Sequence, residues 1–321
     1  MGFPNLSDLA ATTIEHRSGK IADNVIKNNA GLAWIKKSGN VKTVPGGTQI
    51  IQELAFAENG NFGWYAGYDF LPMGPQDVIS NATFLLKQAA CSVMISGLEQ
   101  LQNSGREAII DLMDSRMSVA ESTMANKMAE AFYSDGTGFG GKQITGLAAM
   151  VPASNTTGTY GGIDRSLWQF WQPQLQNVGA NPTSANMQAQ MNLLWAKTVR
   201  GQDRTKLILF DTNLWNVFTQ TLQPLQRFVD TESANMGFAA SKFMDADVVL
   251  DGGIGGFCPP WTGYFLNPKY IFFRPHKDRN MVPLSPSRRY ALNQDAECQI
   301  IAWAGNITCS NQMCQGFFKG Y

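Results

Sequence analysis

The succession of sequence patterns predicts an α+β chain, and three observations carry that prediction. Apolar residues alternate in strand fashion between Val41 and Pro72. They recur at three- and four-residue steps over a long stretch from about 105 to 134, and short strand and helix patterns then alternate from about 183 to 266.

Taken in order, Ser7 is an N-cap candidate for a weakly amphipathic helix reaching Asn28, whose narrow apolar stripe reads as an arm that packs on other structure. From Val41 to Pro72 the pattern is a hairpin, with Ile50, Leu54 and Phe56 on one strand and Phe62, Trp64, Tyr68 and Phe70 on the other. Asn59-Gly60 between them is the strongest short turn signal. The hairpin's rings, Tyr65 included, need a partner surface, since a two-stranded hairpin is marginal alone in water. Periodicity leaves open whether that surface is the chain's own core or a neighbouring subunit. An extended run from Ala82 to Gly97 precedes the long helix, which starts at the capping box Ser104-Gly105-Arg106-Glu107 and stops at Asp135-Gly136. At 1.5 Å per residue its 30 or so residues make a rod of about 45 Å, longer than a small domain is wide. The Gly/Ser/Thr-rich stretch Ser154–Gly162 is a candidate crossing. Beyond it, helices over Thr183–Val199 and Thr212–Thr221 and strands at Lys206–Phe210 and Asp247–Leu250 predict a small mixed sheet with flanking helices. Strand-like pieces follow at Tyr264–Leu266, Tyr270–Phe273 and Gln299–Trp303.

Composition narrows the function classes. The 321 residues carry 25 Lys+Arg against 25 Asp+Glu, a net charge of zero, which excludes finding nucleic acid or anionic membrane by bulk electrostatics alone. Only 16% of residues are charged, below the roughly 25% of an ordinary domain, while 44% are apolar, so much of the surface is expected to be covered by copies of the same chain. Five cysteines without CxxC spacing argue against a secreted disulfide framework. The N-terminus has neither a secretory signal nor a myristoylation pattern, and no apolar run approaches a membrane span.

Motifs for chemistry are sparse. Gly136–Gly141 contains GxGxxG, but it leaves a helix C-terminus, where the dipole opposes an anion, so a glycine-rich stop and turn is the better reading than a phosphate cradle. Asp251–Gly256 lacks the Lys-Ser/Thr of a P-loop. His16 and His276 form no metal pair, no nucleophile elbow is present, and Asp111, Asp114 and Glu121 read as a solvated helix face. The expectation is therefore no enzyme, no catalytic residue, no cofactor and no metal.

The order and spacing of several words, from about Ser38 to the end, resemble tailed-bacteriophage major capsid proteins of the HK-ninety-seven type. They are Trp64-Tyr65-Ala66-Gly67-Tyr68-Asp69, Leu85–Leu98 with the long helix ending in Tyr133-Ser134-Asp135-Gly136-Thr137, and Ile144-Thr145-Gly146-Leu147. Thr159-Tyr160-Gly161-Gly162-Ile163-Asp164-Arg165-Ser166 with Trp168 and Trp171, and Gly305-Asn306 to Gly316-Phe317, complete the set. The resemblance implies an N-arm over about 1–40, an extended E-loop hairpin over 41–76, a peripheral domain over 77–160 with a spine helix at about 105–134, an axial domain over 161–265, and returning C-terminal strands over 266–321. It implies a structural subunit that assembles with itself into pentamers and hexamers of an icosahedral head around double-stranded DNA, made in the bacterial host cytoplasm and resident in the virion. Portal, scaffolding and decoration proteins are the implied further partners, and no membrane is involved.

Under this resemblance Phe62, Trp64, Tyr65, Tyr68 and Phe70 are inter-subunit contact candidates, because the E-loop lies on an adjacent subunit. Some relatives cross-link through a lysine near the loop tip. Here the expected tip, Glu58–Asn61, has none and Lys42 stands at the base, so the shell is expected to be non-covalent or tightened by oxidation of Cys309 and Cys314. Two alternatives stand beside this reading: the shell of a bacterial encapsulating nanocompartment with the same fold, and a nucleotide-dependent enzyme using Gly136–Gly141.

Overall fold

The computed structural model describes residues 30–102, 112–179, 182–222, 240–253, 256–284, 289–290 and 294–320. The expected leading helix from Ser7, His16 and the capping box at Ser104 lie outside the described residues. In chain order the strands are β1 (Gln49–Ala55), β2 (Ile79–Leu85), β3 (Lys87–Ser96), β4 (Thr159–Tyr160), β5 (Ile163–Asp164), β6 (Gln174–Asn177), β7 (Leu207–Phe210), β8 (Ala240–Phe243), β9 (Ala246–Leu250), β10 (Thr262–Leu266), β11 (Ile271–Pro283), β12 (Arg289–Tyr290), β13 (Ala296–Cys309) and β14 (Gly316–Lys319). The helices are α1 (Ala30–Lys37), α2 (Gly97–Gln102), α3 (Leu112–Phe132), α4 (Ser184–Thr198) and α5 (Thr212–Leu222).

Two larger sheets organise the chain. In the first, the 14-residue β13 is central: β3 pairs along one edge from Ser96–Ala296 to Lys87–Gly305, and β11 and β12 pair along the other. All of these pairs are antiparallel. Helix α3 lies across one face of this sheet. Its Ala120, Met124 and Met128 recur at helical spacing and meet the buried Val93 and Ile95 of β3 in one apolar cluster, as the sequence pattern predicts. The described part of the rod, 21 residues, spans about 30 Å.

The second sheet has six strands in the order β6-β14-β10-β7-β9-β8, with β7–β9 and β14–β6 parallel. β7 sits inside it, and all four of its residues are fully buried, which explains why Leu207–Phe210 reads as an unbroken apolar run. Helices α4 and α5 cover this sheet. Thr183 caps α4, its Oγ1 accepting from Asn186 N, and the Asp211 carboxylate caps α5 by accepting from Asn213 N and Leu214 N at 3.1 and 3.0 Å.

The two sheets are tied by a buried contact. Tyr133, just past α3, donates its hydroxyl hydrogen bond to the Asp251 carboxylate at the end of β9. Burial pushes the Tyr133 phenol well above its ordinary range, and the adjacent carboxylate adds to the rise, so the tyrosine is a permanent donor there. Asn306, fully buried in β13, ties the loop at Thr145 to the end of β2. Its Oδ1 accepts from Thr145 N and its Nδ2 donates to Leu85 O.

One expected element differs. β1 pairs with β2, not with the run Phe62–Phe70. Ile50 stands directly opposite the buried Phe84, and Leu54 stands opposite Ser80 on the same face of the pair. The buried face formed by Ile50, Leu54, Ala82 and Phe84 sets this register and overrides the turn signal at Asn59-Gly60.

Candidate assembly interface

The β1–β2 pair is the stem of a single long arm. Beyond it the two chains stay together. Phe56 N donates to Val78 O, Asn61 Nδ2 to Gly74 O at 2.6 Å, and Asp69 N to Ala66 O. The reversal falls at Gly67-Tyr68. Gly67 adopts φ +56°, and the Asp69 carboxylate accepts from Ala66 N at 2.9 Å. Asn59-Gly60 lies in the outgoing chain, where Asn59 Oδ1 accepts from Asn61 N in a local turn.

The root of the arm is clamped to the segment 158–171. Phe84 packs edge-on to Tyr160 with centroids 5.0 Å apart, Phe56 meets Trp168 and Phe170, and Thr83 N donates to Gly161 O. Gly161 is required here: its φ is +60°, and a Cβ would lie 2.9 Å from both the Ala82 Cβ and the Phe84 ring. From the other side Arg274 of β11 donates to Gln52 Oε1. The arm therefore leaves a rigid base.

Its tip has no such cover. Phe62 is 74% exposed, Trp64 94%, and Tyr68 and Phe70 fully so, with Tyr65 also exposed. Within this group only Phe62 and Trp64 make a ring contact, edge-on at 5.5 Å. The five candidate rings thus lie on one projection and none is packed into the chain's own core. Large apolar groups held out in water in a contiguous set mark an interaction surface. The stem adds to it. Ile51, Ile79 and Leu85 occupy its outward face and are more than half exposed, a set the sequence reading missed because Ile79–Leu85 was not recognised as the partner of Gln49–Ala55. Near the root, Leu167 and Trp168 are also exposed.

The other candidates fare differently. Cys309 and Cys314 are both buried, and burial pushes the Cys309 thiol up to about 12. Cys309 is enclosed by its own subunit, Cys314 lines the cleft at the root of the arm, and both are free thiols. The Gly136–Gly141 run does not open a helix. Phe139 and Gly140 take left-handed backbone angles inside a single turn, and the chain then doubles back, with Ser134 Oγ donating to Ile144 O. His276 lies in a bulge of β11, where its Nδ1 accepts from Asp278 N at 3.1 Å. Among the described residues, no helix is long and apolar enough to cross a membrane.

No family model matches the chain, and no curated protein matches it in sequence. Solved structures do. The chain superposes on the capsid asymmetric unit of cyanophage A-1(L) with a TM-score of 0.72 at 16% identity, covering 94% of this chain and 95% of that one. The capsid of the native GTA particle gives 0.64 at 14% identity over 96% and 95%. The capsid of Myoviridae phage XM1 gives 0.57 at 14% identity over 96% and 97%. An arm with a clamped root, a rod laid on a β13-centred sheet and a six-stranded mixed sheet make up one shared architecture, and this chain has the tailed-phage capsid fold, α+β and of the HK-ninety-seven type.

Proposed function

We propose that this protein is a structural, non-enzymatic subunit, the major capsid protein of a tailed-phage head, which assembles with itself into a closed shell around double-stranded DNA. The observation that carries the reading is the arm: a rigid root and a tip of five exposed rings that the chain's own fold leaves uncovered. A monomer gains nothing from such a projection. A neighbour that buries each ring removes about 150–250 Å² of surface from water per ring, enough to hold a shell through many repeated contacts of modest strength. On this reading the β13-centred sheet with α3 is the peripheral domain, the six-stranded sheet is the axial domain, and the head is built in the host cytoplasm, with portal, scaffolding and decoration proteins as further partners.

Imaging of the purified protein tests the proposal. Rings or closed particles are expected, and a protein that stays monomeric at high concentration would sink it. Trp64→Ala combined with Tyr68→Ala should leave the subunit folded and abolish closed particles.

A further inference from the structure

The arm is one-signed in charge. Residues 43–86 contain Glu53, Glu58, Asp69 and Asp77 and not a single Lys, Arg or His. All four carboxylates are exposed, and none makes an ion pair within the described chain. Because the whole chain is neutral, the matching positive charge lies elsewhere. The densest excess is in Arg274–Tyr290, with five Arg or Lys against Asp278 alone.

Within that segment the fold builds a projection. The pairing of β11 with β13 jumps from Pro275–Gly305 to Asn280–Trp303, so four residues of β11 stand against one of β13. The excess loops out as a bulge and carries Lys277 and Arg279 into solvent. Neither makes an ion pair among the described residues. Met281 and Val282, next along the strand, are exposed and apolar. Of the rival basic residues, Arg204 and Lys206 share Asp245, and Lys197 donates to Gln176 Oε1 at 2.8 Å.

We infer that the β11 bulge is the landing site for the arm of a second copy of this chain, Lys277 and Arg279 receiving its carboxylates while its rings cover Met281 and Val282. The inference rests on the shell reading above and adds the receiving surface. Charge of opposite sign on two projections steers encounter and fixes register, and it excludes arm-to-arm pairing, in which like charges would meet.

A charge swap tests it in the full-length protein. Lys277→Glu with Arg279→Glu should lower the yield of closed particles at low salt by about tenfold or more. Adding Asp69→Lys and Asp77→Lys to the same chain should restore it, and each pair of changes alone should fail. The rescue also controls for folding, since a misfolded bulge would not be repaired from the arm. Normal particle yield from the bulge variant overturns the inference and leaves the shell reading standing. So does a loss that the swap does not repair, or normal shells that retain less DNA, which would assign the bulge to nucleic acid. Failure of the unaltered protein to form particles overturns the shell reading, and this inference with it.

Discussion

The six-stranded sheet and the arm use the same kinds of side chain to opposite ends. In the sheet, Phe210 touches Phe218, Phe265 and Phe318 with centroids 5.9, 6.2 and 6.1 Å apart, and no part of it is exposed. In the arm, Tyr68 and Phe70 touch nothing comparable and are fully exposed. One region has spent its apolar surface on its own fold; the other holds it in reserve, on a root rigid enough to aim it. Stability and assembly should therefore respond to different residues, and mutations that separate the two test the comparison.

The largest effect is expected in the closed region. Phe210→Ala removes a ring from a fully packed cluster and should cost about 3–5 kcal/mol, because the transfer and cavity terms add. Denaturant unfolding of the unassembled subunit measures it, and a cost below about 1 kcal/mol would mean that the sheet repacks freely.

An intermediate effect is expected at the junction. Gly161→Ala places a Cβ against Ala82 and Phe84 at a positive φ, and should cost about 1–3 kcal/mol. Because the clash lies under the arm's root, the variant should also re-aim the arm and lower particle yield more than an equally destabilising change in the six-stranded sheet. Equal yields at equal stability would show that the root does not aim the arm.

A smaller effect is expected from charge. The Arg116 guanidinium holds the Glu99 carboxyl below its usual range, with their closest atoms 3.1 Å apart and both side chains partly exposed. The folded-state pKa is depressed, so the stabilisation is present above the unfolded value near 4.5 and is lost as pH falls through the folded one. For so exposed a pair it is worth less than about 1 kcal/mol. Glu99→Gln should flatten the acid side of the stability curve by that amount, and an unchanged curve would remove the pair from the account.

How much of this was legible in the sequence varies by region for a physical reason. β7, α4 with its Thr183 cap, and the buried stripe of α3 are local patterns, and they are found where the periodicity puts them. The five rings were also legible as a set. The arm's true turn was not, because its register is set by Phe84 and Ala82 against the distant Tyr160 and Gly161, and a strong Asn-Gly signal yields to that packing. Burial of Cys309 and Cys314 and the bulge at 276–279 likewise depend on which strands become neighbours, which spacing along one chain does not record.

The smallest effect on stability is expected where the effect on assembly is largest. Tyr68 stands at the reversal of the arm, fully exposed, and its ring contacts none of the other aromatic side chains described. Tyr68→Ala should therefore change the unfolding free energy of the isolated subunit by no more than about 0.5 kcal/mol, the range of surface substitutions. Gly67 beside it already supplies the positive φ that the turn needs, and the Asp69 carboxylate still caps the turn, so the reversal survives the loss of the ring. Thermal unfolding of the unassembled variant is the measurement. A drop of several degrees would place the ring against the subunit's own surface in solution, and the arm would then be a folded-down segment that opens on assembly, not a projection already aimed at its neighbour.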